Sequence, residues 1–242
     1  MEFEIWGSRI SKITNHKSKI TNISLPPADH GARNNVARID EETAFSRKRD
    51  AAFDLVALAS SAGGLGALSE VLSALPRQFP AAIAVVQHLD PRHRSLMAQI
   101  LSGRTSLTVK QAEEGDKLEP GSVYIAPPDR HLLINAGGTV TLTQSEMVHF
   151  VRPSADLLFE SVAASYKDRA IAVVLTGSGT DGKMGSQAIK KMGGTVIAQD
   201  EATSEFFGMP GAAIETGSVD FVLPLQEIAA ALVTLVMTGE TK

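Results

Sequence analysis

From Phe53 onward the apolar residues alternate between two textures. Short, nearly continuous apolar runs over 53–60, 81–88, 170–176, 195–199 and 221–223 have the length and branching of buried strands. Between them, apolar residues recur three and four apart. Leu65, Leu68, Val71, Leu72 and Leu75 predict a helix over 65–75. The same spacing predicts helices over 95–101, 181–192, 210–216 and 228–237. Another opens at Pro153-Ser154, with Ser154 as N-cap and Leu157, Leu158, Ser161 and Val162 on one face. Strands and helices in this alternation predict an α/β fold, a doubly wound, mostly parallel sheet with helices on both faces.

The stretch 106–142 reads differently. A short strand over 106–112 precedes one over 121–129 that is stopped by Pro127-Pro128. Residues 132–142 have the pattern of a hairpin turning at Gly137-Gly138, a small antiparallel insert. The expected domain is 53–237.

Residues 1–50 have no sustained period. They are polar, nearly repeat Ser11-Lys12-Ile13-Thr14-Asn15 as Ser18-Lys19-Ile20-Thr21-Asn22, and contain Pro26-Pro27 and Asn34-Asn35. Too little apolar surface is present to offset the entropy of ordering them, so a disordered or loosely attached tail is expected; a start codon further downstream would give the same texture.

Composition narrows the classes. Hydrophobic residues make up 43% of 242, the mean hydropathy is +0.03, and the longest apolar stretch, 228–237, is far short of the roughly 20 residues a bilayer requires, so no membrane insertion is expected. A formal net charge of −4 gives no reason to expect nucleic-acid binding. With no cysteine, thiolate catalysis and disulfides are excluded, and a cytoplasmic location is expected.

Three predicted strand ends carry polar residues that burial alone does not call for. Ser60-Ser61-Ala62-Gly63-Gly64 follows the first strand, Gln87-His88 ends the second, and Thr176-Gly177-Ser178-Gly179-Thr180-Asp181 follows the strand over 170–176. In a doubly wound sheet these loops share one edge, so Ser61, His88 and Asp181 form a candidate catalytic set of nucleophile, base and orienting acid. Their order differs from that of α/β-hydrolases, and no Gly-x-Ser-x-Gly elbow is present. Each residue has a plainer role open to it: the serine turn as a loop or phosphate cradle, Asp181 as an N-cap for its own helix, His88 as a satisfied strand-end residue. Gly64-Leu65-Gly66 resembles part of a dinucleotide fingerprint, but Gln87-His88 stands where a ribose-binding carboxylate belongs. A metal set of His88, Asp90, His93, Asp129 and His131 is conceivable, although Pro91 opposes aligning His88 with His93, and solvated loop charges explain these residues better. The expectation is no metal and no cofactor.

Ala59-Ser60-Ser61-Ala62-Gly63-Gly64, Gln87-His88, Tyr124-Ile125-Ala126-Pro127-Pro128-Asp129-Arg130-His131, Arg152-Pro153-Ser154-Ala155-Asp156-Leu157-Leu158-Phe159, Leu175 to Gly182, and Ala198-Gln199-Asp200-Glu201-Ala202-Thr203 with Phe207-Gly208-Met209-Pro210 together resemble the catalytic domain of CheB, the protein-glutamate methylesterases of bacterial chemotaxis. The resemblance runs in unbroken order from about 54 to 233. It implies hydrolysis of glutamate γ-methyl esters on the cytoplasmic helices of chemoreceptors, releasing methanol, with deamidation of receptor glutamines as a companion activity. It also implies Ser61 as nucleophile, His88 as base and Asp181 as orienting acid, without a cofactor. A catalytically weak binding or scaffold module is the alternative. Ala62 and Ser178 depart from the family, which usually has threonine and methionine there. Family members commonly carry a receiver domain, which 50 polar residues cannot supply, so control by a partner in trans, or none, is expected.

Overall fold

The computed structural model describes residues 53–88 and 95–238; the predicted N-terminal tail, together with Asp90, Pro91 and His93, lies outside them. Within these residues the chain runs β1 (Leu55–Ser60), α1 (Gly64–Ser73), β2 (Ala82–Gln87), α2 (Met97–Ser102), β3 (Thr108–Gln111), β4 (Ser122–Ile125), β5 (His131–Ile134), β6 (Val140–Thr143), α3 (Ala155–Tyr166), β7 (Ala170–Val174), α4 (Lys183–Lys191), β8 (Thr195–Gln199), α5 (Gly208–Ile214), β9 (Phe221–Leu223) and α6 (Leu225–Thr238).

Seven strands form one sheet in the order β3-β4-β2-β1-β7-β8-β9, and every pairing in it is parallel. The central strands are buried on both faces, which is why their sequences are continuous rather than alternating apolar runs. Successive residues still serve opposite sides. Val56 and Leu58 pack with Leu68 and Leu72 of α1, Leu101 of α2 and Ile228 and Leu232 of α6. Leu55, Ala57 and Ala59 pack with Leu158, Phe159 and Val162 of α3, Ile189 of α4 and Met209 of α5. Leu158 and Phe159 are fully buried, each contributing roughly 1.5–3 kcal/mol through removal from water.

The predicted insert is present as the antiparallel pair β5 and β6, in the register Ile134↔Val140. Leu132, Ile134 and Val140 join the α3 side of the core. Two serines of α3 fasten it there: Ile134 N–H donates to Ser161 Oγ at 3.0 Å, and Ser165 Oγ donates to Ile134 O at 2.8 Å.

From β1 the chain steps to β2 and on outward to β3 and β4, then returns through the hairpin and α3 to β7 on the other side of β1 and continues outward through β8 to β9. The strand order therefore reverses at β1, and in open α/β sheets the crevice at the carboxyl ends beside such a reversal is where ligands sit.

Candidate active site

Loops following β2, β1 and β7, three neighbouring strands, bring His88, Ser61 and Asp181 to that crevice. The two hydroxyls of the first turn have different employment. Ser60 is fully buried and donates to Gln87 Oε1 at 2.7 Å, while Gln87 Nε2 donates to Ser61 O at 2.7 Å and to His88 O at 3.0 Å. Gln87 thus ties the serine turn to the histidine by main-chain contacts. Among the described residues, the Ser61 hydroxyl has no hydrogen-bond partner, and it is not bonded to the imidazole. Candidate nucleophiles in unliganded sites often sit this way, tightening onto their base only with substrate bound.

Gly63 begins α1 in the left-handed region, φ +77°, and no side chain caps that helix. Gly64 N–H donates to Ser61 O at 2.9 Å, and no side chain takes the N-cap bond at this helix start, which adjoins the Ser61 turn. The loop after β7 closes onto the same turn. Ser61 N–H donates to Thr176 O at 3.0 Å, and Thr176 Oγ1 donates to Ala62 O at 3.0 Å. Gly177 allows the approach: a Cβ there would lie 2.4 Å from Met209 Sδ and 2.8 Å from Ser61 Cβ. Gln199, buried at the end of β8, accepts from Thr176 N–H at 2.8 Å and donates to Thr203 O. Gln87 and Gln199 are thus paired struts, at the ends of β2 and β8. Of the two departures from the family pattern, Ala62 is half-buried and Ser178 exposed.

His88 and Asp181 meet directly, Nε2 to Oδ2 at 2.8 Å, with side chains 12% and 4% exposed. A carboxylate only accepts, so Nε2 carries the proton and Nδ1 the free lone pair. The N-cap role open to Asp181 in its own helix falls to Gly182 instead, without a side-chain cap. Asp181 reaches across to the start of α3. Its Oδ1 accepts from Ser154 Oγ (2.9 Å), Asp156 N (3.0 Å) and Gly182 N (3.1 Å), and its Oδ2 accepts from Ala155 N (2.6 Å) besides His88. Burial pushes this carboxyl toward the neutral form, but the bonds from His88, Ala155 and Asp156 outweigh it and hold its pKa below the ordinary carboxylate value. Ser154 is the predicted N-cap, accepting from Leu157 N–H as well.

The remaining members of the conceivable metal set are otherwise engaged. His131 is fully buried with both ring nitrogens on main chain: Nε2 donates to Glu146 O at 3.0 Å, and Nδ1 accepts from Ser154 N–H at 3.1 Å. Burial lowers its pKa, keeping the ring neutral. It is a pin between the loop after β6 and the start of α3. Asp129 is clamped by Arg152 Nε and Nη2 at 2.9 and 2.5 Å. No cluster of metal-ligating side chains occurs among the described residues.

Comparison with known proteins gives a consistent picture. A family model described as CheB methylesterase matches residues 56–232. A Moorella thermoacetica protein named protein-glutamate methylesterase/protein-glutamine glutaminase is 44% identical over 187 residues, covering 76% of this chain and 44% of that protein. A Thermotoga maritima protein of the same name is also 44% identical, with coverages of 75% and 54%. This chain thus spans about half the length of those two relatives. A Leptospira interrogans protein carrying the same name as putative is 40% identical, over 76% of this chain and 95% of its own. The crystal structure of the Thermotoga maritima CheB methylesterase catalytic domain superposes with a TM-score of 0.74 at 44% identity, covering 76% of this chain and 99% of that one.

Proposed function

The chain belongs to the CheB methylesterase family, and on that premise we propose that it is a serine esterase hydrolysing glutamate γ-methyl esters on methylated chemoreceptor helices, with deamidation of receptor glutamines as a second reaction of the same site. The observation that carries the chemistry is the His88–Asp181 pair at a strand-end crevice shared with the Ser61 turn.

With Nε2–H held by Asp181, the base is His88 Nδ1. It takes the Ser61 proton as Oγ attacks the ester carbonyl carbon, and the imidazolium that forms is stabilised by the buried carboxylate. The new oxyanion is met by main-chain N–H groups beside Ser61 and at the uncapped start of α1. Collapse breaks the carbonyl–methoxy bond, and His88 returns the proton to the leaving oxygen, releasing methanol. Water, activated by His88 Nδ1, then cleaves the glutamyl–Ser61 ester, giving the receptor carboxylate and restoring the serine. An amide substrate follows the same route with ammonia leaving.

Among the described residues no helix is long and apolar enough to cross a membrane, and the reading puts the enzyme in the cytoplasm with its receptor substrates. The test is methanol release from methylated receptor cytoplasmic fragments by this chain and by Ser61→Ala, without a phosphodonor. Release by the parent alone supports the assignment; an active Ser61→Ala chain eliminates the nucleophile.

A further inference from the structure

One buried titratable group has no part in that mechanism. Asp156, in the first turn of α3, is 3% exposed. Its own N–H donates to Asp181, its Oδ1 accepts from Gly185 N–H in α4 at 2.7 Å, and its Oδ2 is the one buried side-chain polar atom without a hydrogen-bond partner among the described residues. Facing that oxygen is His149, with Nε2 3.6 Å away, too long for a hydrogen bond but near enough for charge to matter.

The backbone that delivers His149 is unusual. Val148 and Val151 are bridged by reciprocal main-chain bonds of 3.2 and 2.9 Å, and the two residues between them, His149 at φ +50° and Phe150 at φ +64°, are both left-handed. That is the backbone of a tight hairpin turn for which Asn-Gly is the usual choice, and here it carries an imidazole and an aromatic ring. Phe150 points outward, 95% exposed, whereas His149 reaches Asp156.

We propose that Asp156 and His149 form a second carboxylate–imidazole pair, behind the first and joined to it through the start of α3, that holds the Asp181 side of the cleft in place and makes Asp156 a positioning residue of the esterase site. The inference rests on the esterase reading for its meaning, but its geometry stands apart from it. Asp181 and Asp156 share one helix N-terminus and receive very unequal numbers of donors. Asp181 accepts from Ser154, Ala155, Asp156, Gly182 and His88, and so keeps its negative charge. Asp156 has the Gly185 amide and one open oxygen. Burial pushes its pKa up to about 6, the Gly185 amide opposing and the Asp181 charge adding to the rise. Two adjacent carboxyls whose surroundings push them apart divide the labour: one stays charged, the other takes up the proton. The groups facing Asp156 are His149 from the preceding turn, Asp181 from the loop after β7, and the Gly182 and Gly185 amides at the start of α4. Its ionisation adds a second negative charge beyond Asp181, and a protonated His149 offsets it.

The experiment is an NMR titration of the aspartate carboxyls of the full chain, Asp156 being assigned through its backbone, together with the pH profile of methanol release. Asp156→Asn keeps an acceptor for Gly185 and removes the charge. Expected is a parent pH profile of methanol release that carries an ionisation absent from the Asp156→Asn profile. His149→Gln, at a 54% exposed side chain, is expected to raise the Asp156 carboxyl midpoint, and it decides the matter should Asp156→Asn not fold. Release profiles that superpose in parent and Asp156→Asn, or an Asp156 midpoint indifferent to His149→Gln, overturn the proposal. A folded chain whose Asp156 midpoint responds to His149→Gln yet which releases no methanol refutes the esterase reading alone.

Discussion

Replacing Ser154 by alanine isolates what the N-cap of α3 does for the acid of the site. The side chain is fully buried and has two contacts: its hydroxyl donates to Asp181 Oδ1 at 2.9 Å and accepts from Leu157 N–H at 3.5 Å. A hydrogen bond to a buried ion contributes about 1.5–3 kcal/mol. The lower end applies here, because Asp181 keeps its bonds to three amides and His88. The long capping bond adds about 0.5 kcal/mol. Together, about 2 kcal/mol is lost, which for a domain of this size lowers Tm by about 4–8 °C. The pH dependence carries the sign of the argument. Asp181 has a folded-state pKa below its ordinary value of 3.8, so what it contributes is complete above that value and disappears as pH falls through the lower one. Urea unfolding of parent and Ser154→Ala at pH 7.5 and pH 5 should therefore give the same gap. A gap below about 0.5 kcal/mol, or one that closes between those two pH values, refutes the claim that the serine acts on an ionised Asp181. Turnover should drop less than about tenfold, since the amides and His88 still orient the carboxylate.

Other substitutions probe the remaining contacts. Gly177→Ala places a Cβ within 3 Å of Met209 Sδ and Ser61 Cβ, and should cost about 1–3 kcal/mol and tenfold or more in methanol release, whereas Gly66→Ala in α1 meets nothing within 4 Å and should stabilise by about 0.5–1 kcal/mol; equal effects in thermal melts and turnover would rule out the steric account. Asp156→Asn tests the buried acid from the side of stability. Its folded pKa is raised from 3.8 to about 6, so the folded state holds a proton that the unfolded chain releases, and the parent should lose about 3 kcal/mol as pH rises from 4 to above 6; urea curves for the variant should lack that fall, and a variant that tracks the parent disproves it.

The sheet was legible because its strands are buried on both faces and its helices on one, so period alone separates them. Even the insert was announced by Gly137-Gly138, of which Gly138 takes φ +71°. What sequence could not disclose is where side chains go after leaving their own segment. Asp181, four residues after Gly177 and beside Gly182, has every local mark of an N-cap, yet three of its five donors come from the start of a helix about 26 residues upstream and a fourth is His88. Asp156 looks like a first-turn acid facing solvent and favouring the helix dipole, but the packing of α3 against α4 buries it. His131 follows the charged pair Asp129-Arg130 at the start of β5 and is fully buried. Gln87 and Gln199 had a readable signal, an amide closing an apolar strand, whose purpose emerges only when neighbouring loops are in place. The turn at His149-Phe150 contains neither glycine nor asparagine, so nothing in its composition marks it.

Of the donors that hold Asp181, three are main-chain amides, those of Ala155, Asp156 and Gly182. Among the described residues no arginine or lysine pairs with it. A peptide N–H is present whatever residue occupies the position, proline excepted, so this half of the site's electrostatics is immune to most point substitutions. It also lies out of reach of dissolved salt, which screens exposed ion pairs far more than buried dipoles. The helix works as a fixed electrode, and drift in the surrounding side chains can retune what the cleft accepts while the charge beneath its histidine stays as it is.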